Sequence, residues 1–198
     1  MNKFLLLVGL VSLSGFSQAI TMATFSDPAP DSNSPLFDWD TNAMTLSAAW
    51  TGPGFDLQTP GFIGGGLVSN THFVMNSVSL TPVINNVLYT MGSGTIDFYT
   101  TNVNNPFFTI TFSGGTFLNP LNASSSELTG NVVNFLGALV PNNLANKQFA
   151  FSLVNPIMSG GHVTYTAAFT SSADVVPEPF SILAMATGVA ALVKKRRS

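Results

Sequence analysis

Along much of the chain large apolar and small polar side chains alternate with a period of two. The runs Thr95-Ile96-Asp97-Phe98, Phe108-Thr109-Ile110-Thr111-Phe112-Ser113, Phe149-Ala150-Phe151-Ser152-Leu153 and Val163-Thr164-Tyr165-Thr166 all show it. Successive side chains of a β-strand point to opposite faces, so this pattern predicts strands with one buried and one solvated face. Fainter alternation predicts further strands over 20–25, 44–50, 67–75 and 77–80. Between the runs stand turn-forming clusters: Thr51-Gly52-Pro53-Gly54, Thr81-Pro82, Asn85-Asn86, Met91-Gly92-Ser93-Gly94, Asn104-Asn105-Pro106, Gly114-Gly115, Asn119-Pro120, Asn142-Asn143 and Gly160-Gly161. Gly supplies positive φ, Pro removes a donor, and Asn bonds its own backbone, so each cluster is expected to end a strand. Many short strands parted in this way predict an all-β domain. The expected form is an antiparallel β-sandwich of two sheets, jelly-roll-like in its connections.

One segment reads two ways. Ser124-Ser125-Ser126-Glu127 has the spacing of a helix capping box, and Leu128, Val132, Phe135, Leu136 and Leu139 fit one helical face. Gly130 and Gly137 would each cost a helix interior about 1 kcal/mol. Leu128, Val132 and Leu136 also fit a bulged strand, which is the favoured expectation.

The two ends depart from the alternating pattern. Lys3 precedes an apolar run from Phe4 to Leu13, and Ser17-Gln18-Ala19 places small residues where a signal peptidase reads. Residues 1–19 are therefore expected to be an export signal cleaved after Ala19. At the other end Val176-Pro177-Glu178-Pro179 leads into an apolar run, Phe180 to Val193, and then into Lys194-Lys195-Arg196-Arg197. The fourteen residues of that run make a helix of about 21 Å, short of the roughly 30 Å hydrocarbon core of a bilayer. The short hydrophobic helix expected here suits a temporary anchor, held by the basic cluster on the cytoplasmic side with the body outside. Pro177 and Pro179 favour extended chain around Glu178. The organisation is thus a signal at 1–19, a β domain at 20–174 and a tail at 175–198.

Charge sharpens this division. Only 8 % of residues are charged, far below the roughly 25 % of a soluble domain. Five of the six basic residues lie in the end segments, and between Ile20 and Asp174 eight acids face Lys147 alone. Such a body repels phosphate backbones and excludes nucleic-acid binding. With no Cys, disulfides, thiolate metal sites and thiol nucleophiles are absent, and the 17 Phe must build a core unaided.

Candidate chemistry in the body is sparse. Asp38, Asp40 and Asn42 place oxygen-bearing side chains at alternate positions, as calcium loops do. Ala43 stands where such a loop needs its sharp-turn Gly, and Ala49 where it needs a bidentate Glu, so a solvated loop is favoured over a calcium site. His72 and His162 are the only histidines, too few for a metal centre without acids brought in by folding. Asp97 shares a strand face with Thr95 and Tyr99, the expected solvent side, and has no visible carboxylate partner for hydrolysis. Gly64-Gly65-Gly66 lacks the Lys of a phosphate loop and the Ser of a nucleophile elbow, which leaves it a flexible connection. The aromatic residues Trp39, Trp50, Tyr89, Tyr99 and Tyr165 are candidate platforms for sugar rings if their strands expose them, and ordinary core if not. Thr109-x-Thr111 and Thr164-x-Thr166 form no fixed-period array and are what any antiparallel sheet carries outside.

The tail has a specific likeness. Val176-Pro177-Glu178-Pro179, Ser181, a short apolar span containing Gly188 and the basic end together resemble the PEP-CTERM sorting signal of Gram-negative and cyanobacterial exported proteins. The resemblance implies recognition by exosortase, a membrane-embedded protease, and delivery to the cell surface or the extracellular polysaccharide of a biofilm. It covers about 23 residues and implies destination and processing, not an activity. The function expected is that of an exported, non-enzymatic surface or matrix protein without a cofactor. Its expected partners are signal peptidase, an exosortase-type protease, the inner membrane transiently, and extracellular polysaccharide. The alternatives are a carbohydrate-binding module of that matrix and a secreted hydrolase.

Overall fold

The computed structural model describes residues 18–26, 36–84, 87–119 and 125–176. Among these residues the alternating runs become twelve strands: β1 Gln18–Phe25, β2 Phe37–Asp40, β3 Thr45–Gln58, β4 Leu67–Ile84, β5 Leu88–Met91, β6 Gly94–Tyr99, β7 Phe108–Phe112, β8 Gly114–Leu118, β9 Ser125–Asn131, β10 Asn134–Leu136, β11 Leu144–Ser159 and β12 His162–Val175. All their pairings are antiparallel, and no helix occurs among the described residues. The all-β, antiparallel expectation therefore holds. The ambiguous segment is strand, split into β9 and β10 at Val132, whose φ of 44° lies in the left-handed region.

The strands form one hydrogen-bonded sheet where two were expected. Neighbours run β2 to β3, β4, β5, β8, β9, β11, β12 and back to β2, so the pairings close a circuit. A second branch, β6, β7 and β10, leaves the earlier part of β4. β1 and β2 lie end to end along β12: β2 pairs with its first residues and β1 with its last. Long strands explain the single sheet, because β3, β4, β11 and β12 each pair with different partners along their length.

The inner faces nevertheless meet as in a sandwich. Phe73 on β4 lies 5.9 Å from Phe151 on β11, Phe98 on β6 lies 5.3 Å from Phe169 on β12, and Trp39 on β2 lies 5.2 Å from Tyr89 on β5 (ring centroids). Each such ring removes some 150–250 Å² from water, which is how a Cys-free chain with few charges acquires a core.

Three expected breaks are instead inside strands. Thr51-Gly52-Pro53-Gly54 is a bulge in β3, where Trp50 pairs with Phe73 and Phe55 with Thr71. Asn70 packs so closely on Gly54 that a Cβ there would lie 2.4 Å from the Asn70 Cα. β4 runs through Thr81-Pro82 and joins the two stretches expected over 67–75 and 77–80. Its pairing with β3 has ended at Ser79, and Pro is tolerated on an edge. Gly114-Gly115 opens β8 rather than preceding it. By contrast Gly160-Gly161, with φ of 58° and 88°, makes the tight turn expected between β11 and β12.

Residues 1–17 of the expected signal and 177–198 of the tail, including its expected helix, lie outside the described residues. Gln18 and Ala19, the last two residues before the expected cleavage point, pair with Val175 and Asp174.

Candidate functional site

The strand directions give the domain two distinct ends. β12 runs from His162 to Val175, and its start meets β2, which was expected to be a solvated loop. β2 follows the period of two: Phe37 and Trp39 turn inward and are buried, while Asp38 and Asp40 turn outward and are partly exposed. His162 Nδ1 lies 3.0 and 3.1 Å from the two carboxylate oxygens of Asp38, bridging residues 124 apart in sequence. The hydrogen bond to Asp38 and that carboxylate's charge raise the His162 pKa above the ordinary imidazole value. Asp40 turns to its own backbone, accepting from the Asn42 N–H at 2.9 Å and the Ala43 N–H at 2.8 Å. The Ala43 bond above all holds the Asp40 pKa below the usual carboxylate range. Thr41 completes the corner, donating its N–H and its hydroxyl to the Gly161 carbonyl at 2.9 and 2.7 Å.

Of the calcium-loop candidates, Asp38 is engaged with His162 and Asp40 with the turn amides of Asn42 and Ala43. Among the described residues no three of His, Asp and Glu are grouped so as to hold a metal ion.

The opposite end is built from the β3–β4, β6–β7 and β10–β11 connections, at 59–66, 100–107 and 137–143. None of these residues is Asp, Glu, Lys, Arg or His. Gly64-Gly65-Gly66 was expected to be a flexible connection, yet the buried Thr59 ties it down. The Thr59 N–H donates to Gly66 O at 2.7 Å, its hydroxyl donates to the same oxygen at 3.1 Å, and Gly65 N–H donates to Phe62 O at 2.9 Å. Ile63 N–H donates to Leu139 O at 2.8 Å, placing two exposed apolar side chains together. Val176, the last described residue, is bonded four residues on from Leu139: its N–H donates to Asn143 O at 2.9 Å, and Asn143 Nδ2 returns a bond to Val176 O at 2.8 Å.

The aromatic candidates are mostly core. Trp39 is 5 % exposed, edge-on to Tyr89 and Phe117, and Trp50 is 4 % exposed with its Nε1 donating to Pro53 O at 2.6 Å. Tyr89 and Tyr165 are buried as well. Neither tryptophan presents a face to a sugar, because inward alternation on β2 and β3 puts both rings in the interior. Tyr99 is half-buried on the outer face and stacks on His72 at 5.4 Å. Each ring thus covers part of the other. On the same face Asp97 accepts a 2.6 Å bond from the Thr109 hydroxyl, a cross-strand neighbour. Thr166, expected on the outside, is buried.

Of the sorting residues, Val176 is exposed at the end of the described domain, and Pro177, Glu178, Pro179 and Lys194 to Arg197 lie outside the described residues. Sequence reasoning missed the Asp38–His162 pair, since register alone brings the two together. No protein-family model, curated protein or solved structure matches the chain significantly.

Proposed function

We propose that the protein is an exported structural component of the cell surface or extracellular matrix, delivered and processed through a C-terminal sorting tail. One observation carries this: Val176-Pro177-Glu178-Pro179, a mainly apolar run of fourteen residues and four basic ones follow each other in the order that a cleavable, transiently membrane-held signal requires. The position of the motif supports it. β12 ends at Val175, so the motif starts where the sheet stops, and its two prolines could not continue the ladder. Within this proposal Phe180 to Val193 forms the short hydrophobic helix, the strand order is read as jelly-roll-like, and residues 1–19 are removed by signal peptidase. An exosortase-type protease acts on the tail. The role needs no cofactor and no catalytic group in the body.

Replacing Pro177-Glu178-Pro179 with three alanines tests the proposal. The wild-type protein is expected in a shortened form outside the inner membrane, and the variant as a longer precursor in the membrane fraction. A variant processed and located like the wild type would overturn it.

A further inference from the structure

The domain end from which the tail departs differs from the rest of the surface in a way the sorting signal does not require. Its three connections contain no ionisable side chain, and they expose Ile63 at 61 % and Leu139 at 50 %, with Val103 and the adjoining Leu67 also exposed. Val176 leaves the sheet beside them, through its two bonds to Asn143, four residues after Leu139. Three residues separate Val176 from Phe180, so extended chain spans at most about 14 Å between the last described residue and the apolar run. With Phe180 to Val193 in a bilayer, this end of the domain is necessarily held near the lipid surface. Side chains placed there meet a headgroup region that accepts apolar groups and demands no burial of charge.

We propose that this uncharged end is a lipid-contacting surface: while the tail is in the membrane, Ile63 and Leu139 seat in the bilayer interface and orient the domain end-on, with Asp38, Asp40 and His162 pointing away. This rests on the tail being membrane-held. The connections fit the orientation: those at the tail end carry no ionisable group, with Asp56, Lys147 and Asp174 on the adjoining strands β3, β11 and β12, whereas the far end carries the Asp38–His162 pair and the Asp40 turn. The linker adds a steric reason: Pro177 and Pro179 stiffen a segment too short to let the domain tumble free of the surface. Contact ends when the tail is cut, because two or three small apolar insertions without the span are too weak to hold a domain at a membrane.

The absence of Cys makes single labels clean. The full chain, reconstituted in phosphatidylcholine vesicles, is labelled with an environment-sensitive fluorophore at Ile63→Cys, Leu139→Cys, Met158→Cys or Ala186→Cys. Met158 is 81 % exposed at the far end and controls for local apolarity. Labels at 63, 139 and 186 are expected to shift to the blue and be quenched by nitroxide-bearing lipid, with no change at 158. A lipid-quenched label at 186 with water-like labels at 63 and 139 overturns the lipid contact alone. A water-like label at 186 overturns the membrane-held tail and the contact with it.

Discussion

The two ends of the domain are made by the same strands, yet they solve different problems. At the end bearing His162, ionisable side chains build the turns: Asp40 caps the corner after β2, Asp38 pairs across to β12, and Gly161 supplies the backbone conformation that lets Thr41 reach its carbonyl. At the end bearing Val176, loops are held by backbone bonds and one buried threonine, and apolar side chains are left outside. Sheet geometry does not dictate such a difference, because either kind of loop connects antiparallel strands. On the proposed orientation the contrast follows what each end would face: water at one, and at the other the membrane that holds the tail.

The largest test of the comparison asks whether the ends are independent. Phe151 packs against Phe25, Phe37, Phe73, Phe149 and Phe169, joining strands that serve both. Phe151→Ala is expected to cost about 3–5 kcal/mol. In urea both ends should then melt together, read from Trp39 in a Trp50→Phe background and from Trp50 in a Trp39→Phe background. Two separate midpoints would show that each end has its own core.

Turn chemistry gives the next largest effect. Gly161 sits at φ 88°, and a Cβ there would fall 2.3 Å from the Asn42 amide nitrogen. Gly161→Ala should lower stability by about 1–2 kcal/mol, measured from the urea midpoint. Gly66, at the uncharged end, has no atom within 4 Å of a Cβ and no left-handed φ. Gly66→Ala should raise stability by about 0.4–1 kcal/mol through the unfolded chain. Equal losses at the two positions would erase the distinction between a glycine that the backbone requires and one that it tolerates.

Smallest is the pH response of the charged end. Asp40 has its pKa lowered, so its contribution is present above the ordinary carboxylate value and is lost as pH falls through the lowered one. His162 has its pKa raised, so its contribution is whole below the ordinary imidazole value and is lost as pH rises through the raised one. Both groups are solvent-exposed, and the melting temperature should therefore move little, with its maximum between the two ranges. An NMR titration of His162 checks the cause: Asp38→Asn should return its pKa towards the ordinary imidazole value. A pKa unmoved by that substitution would assign the shift elsewhere.

Much of the fold was legible because alternation reports a local fact, which side chains share a face. Ile96 and Phe98 are buried and Asp97 lies outward as their spacing demands. Phe37-Asp38-Trp39-Asp40 obeys the same rule, but two acids in four residues disguised a strand as a loop. What alternation cannot report is pairing. Whether Thr51-Gly52-Pro53-Gly54 turns the chain back or bulges a continuing strand depends on β4, which pairs with β3 on both sides of it while the register shifts between. The outward Asp38 meets His162 only through the register between β2 and β12. In β10 the inward residue is Phe135, while Val132 and Leu136, which fitted a shared strand face, are exposed. The positive φ of Val132 resets the alternation between β9 and β10.

The central claim, a body delivered by a tail that is then removed, is tested most directly by the intact mass of the protein recovered outside the inner membrane. The account predicts a chain that has lost its N-terminal signal and ends short of the apolar run beginning at Phe180. A mass that still includes Ser198 would contradict it.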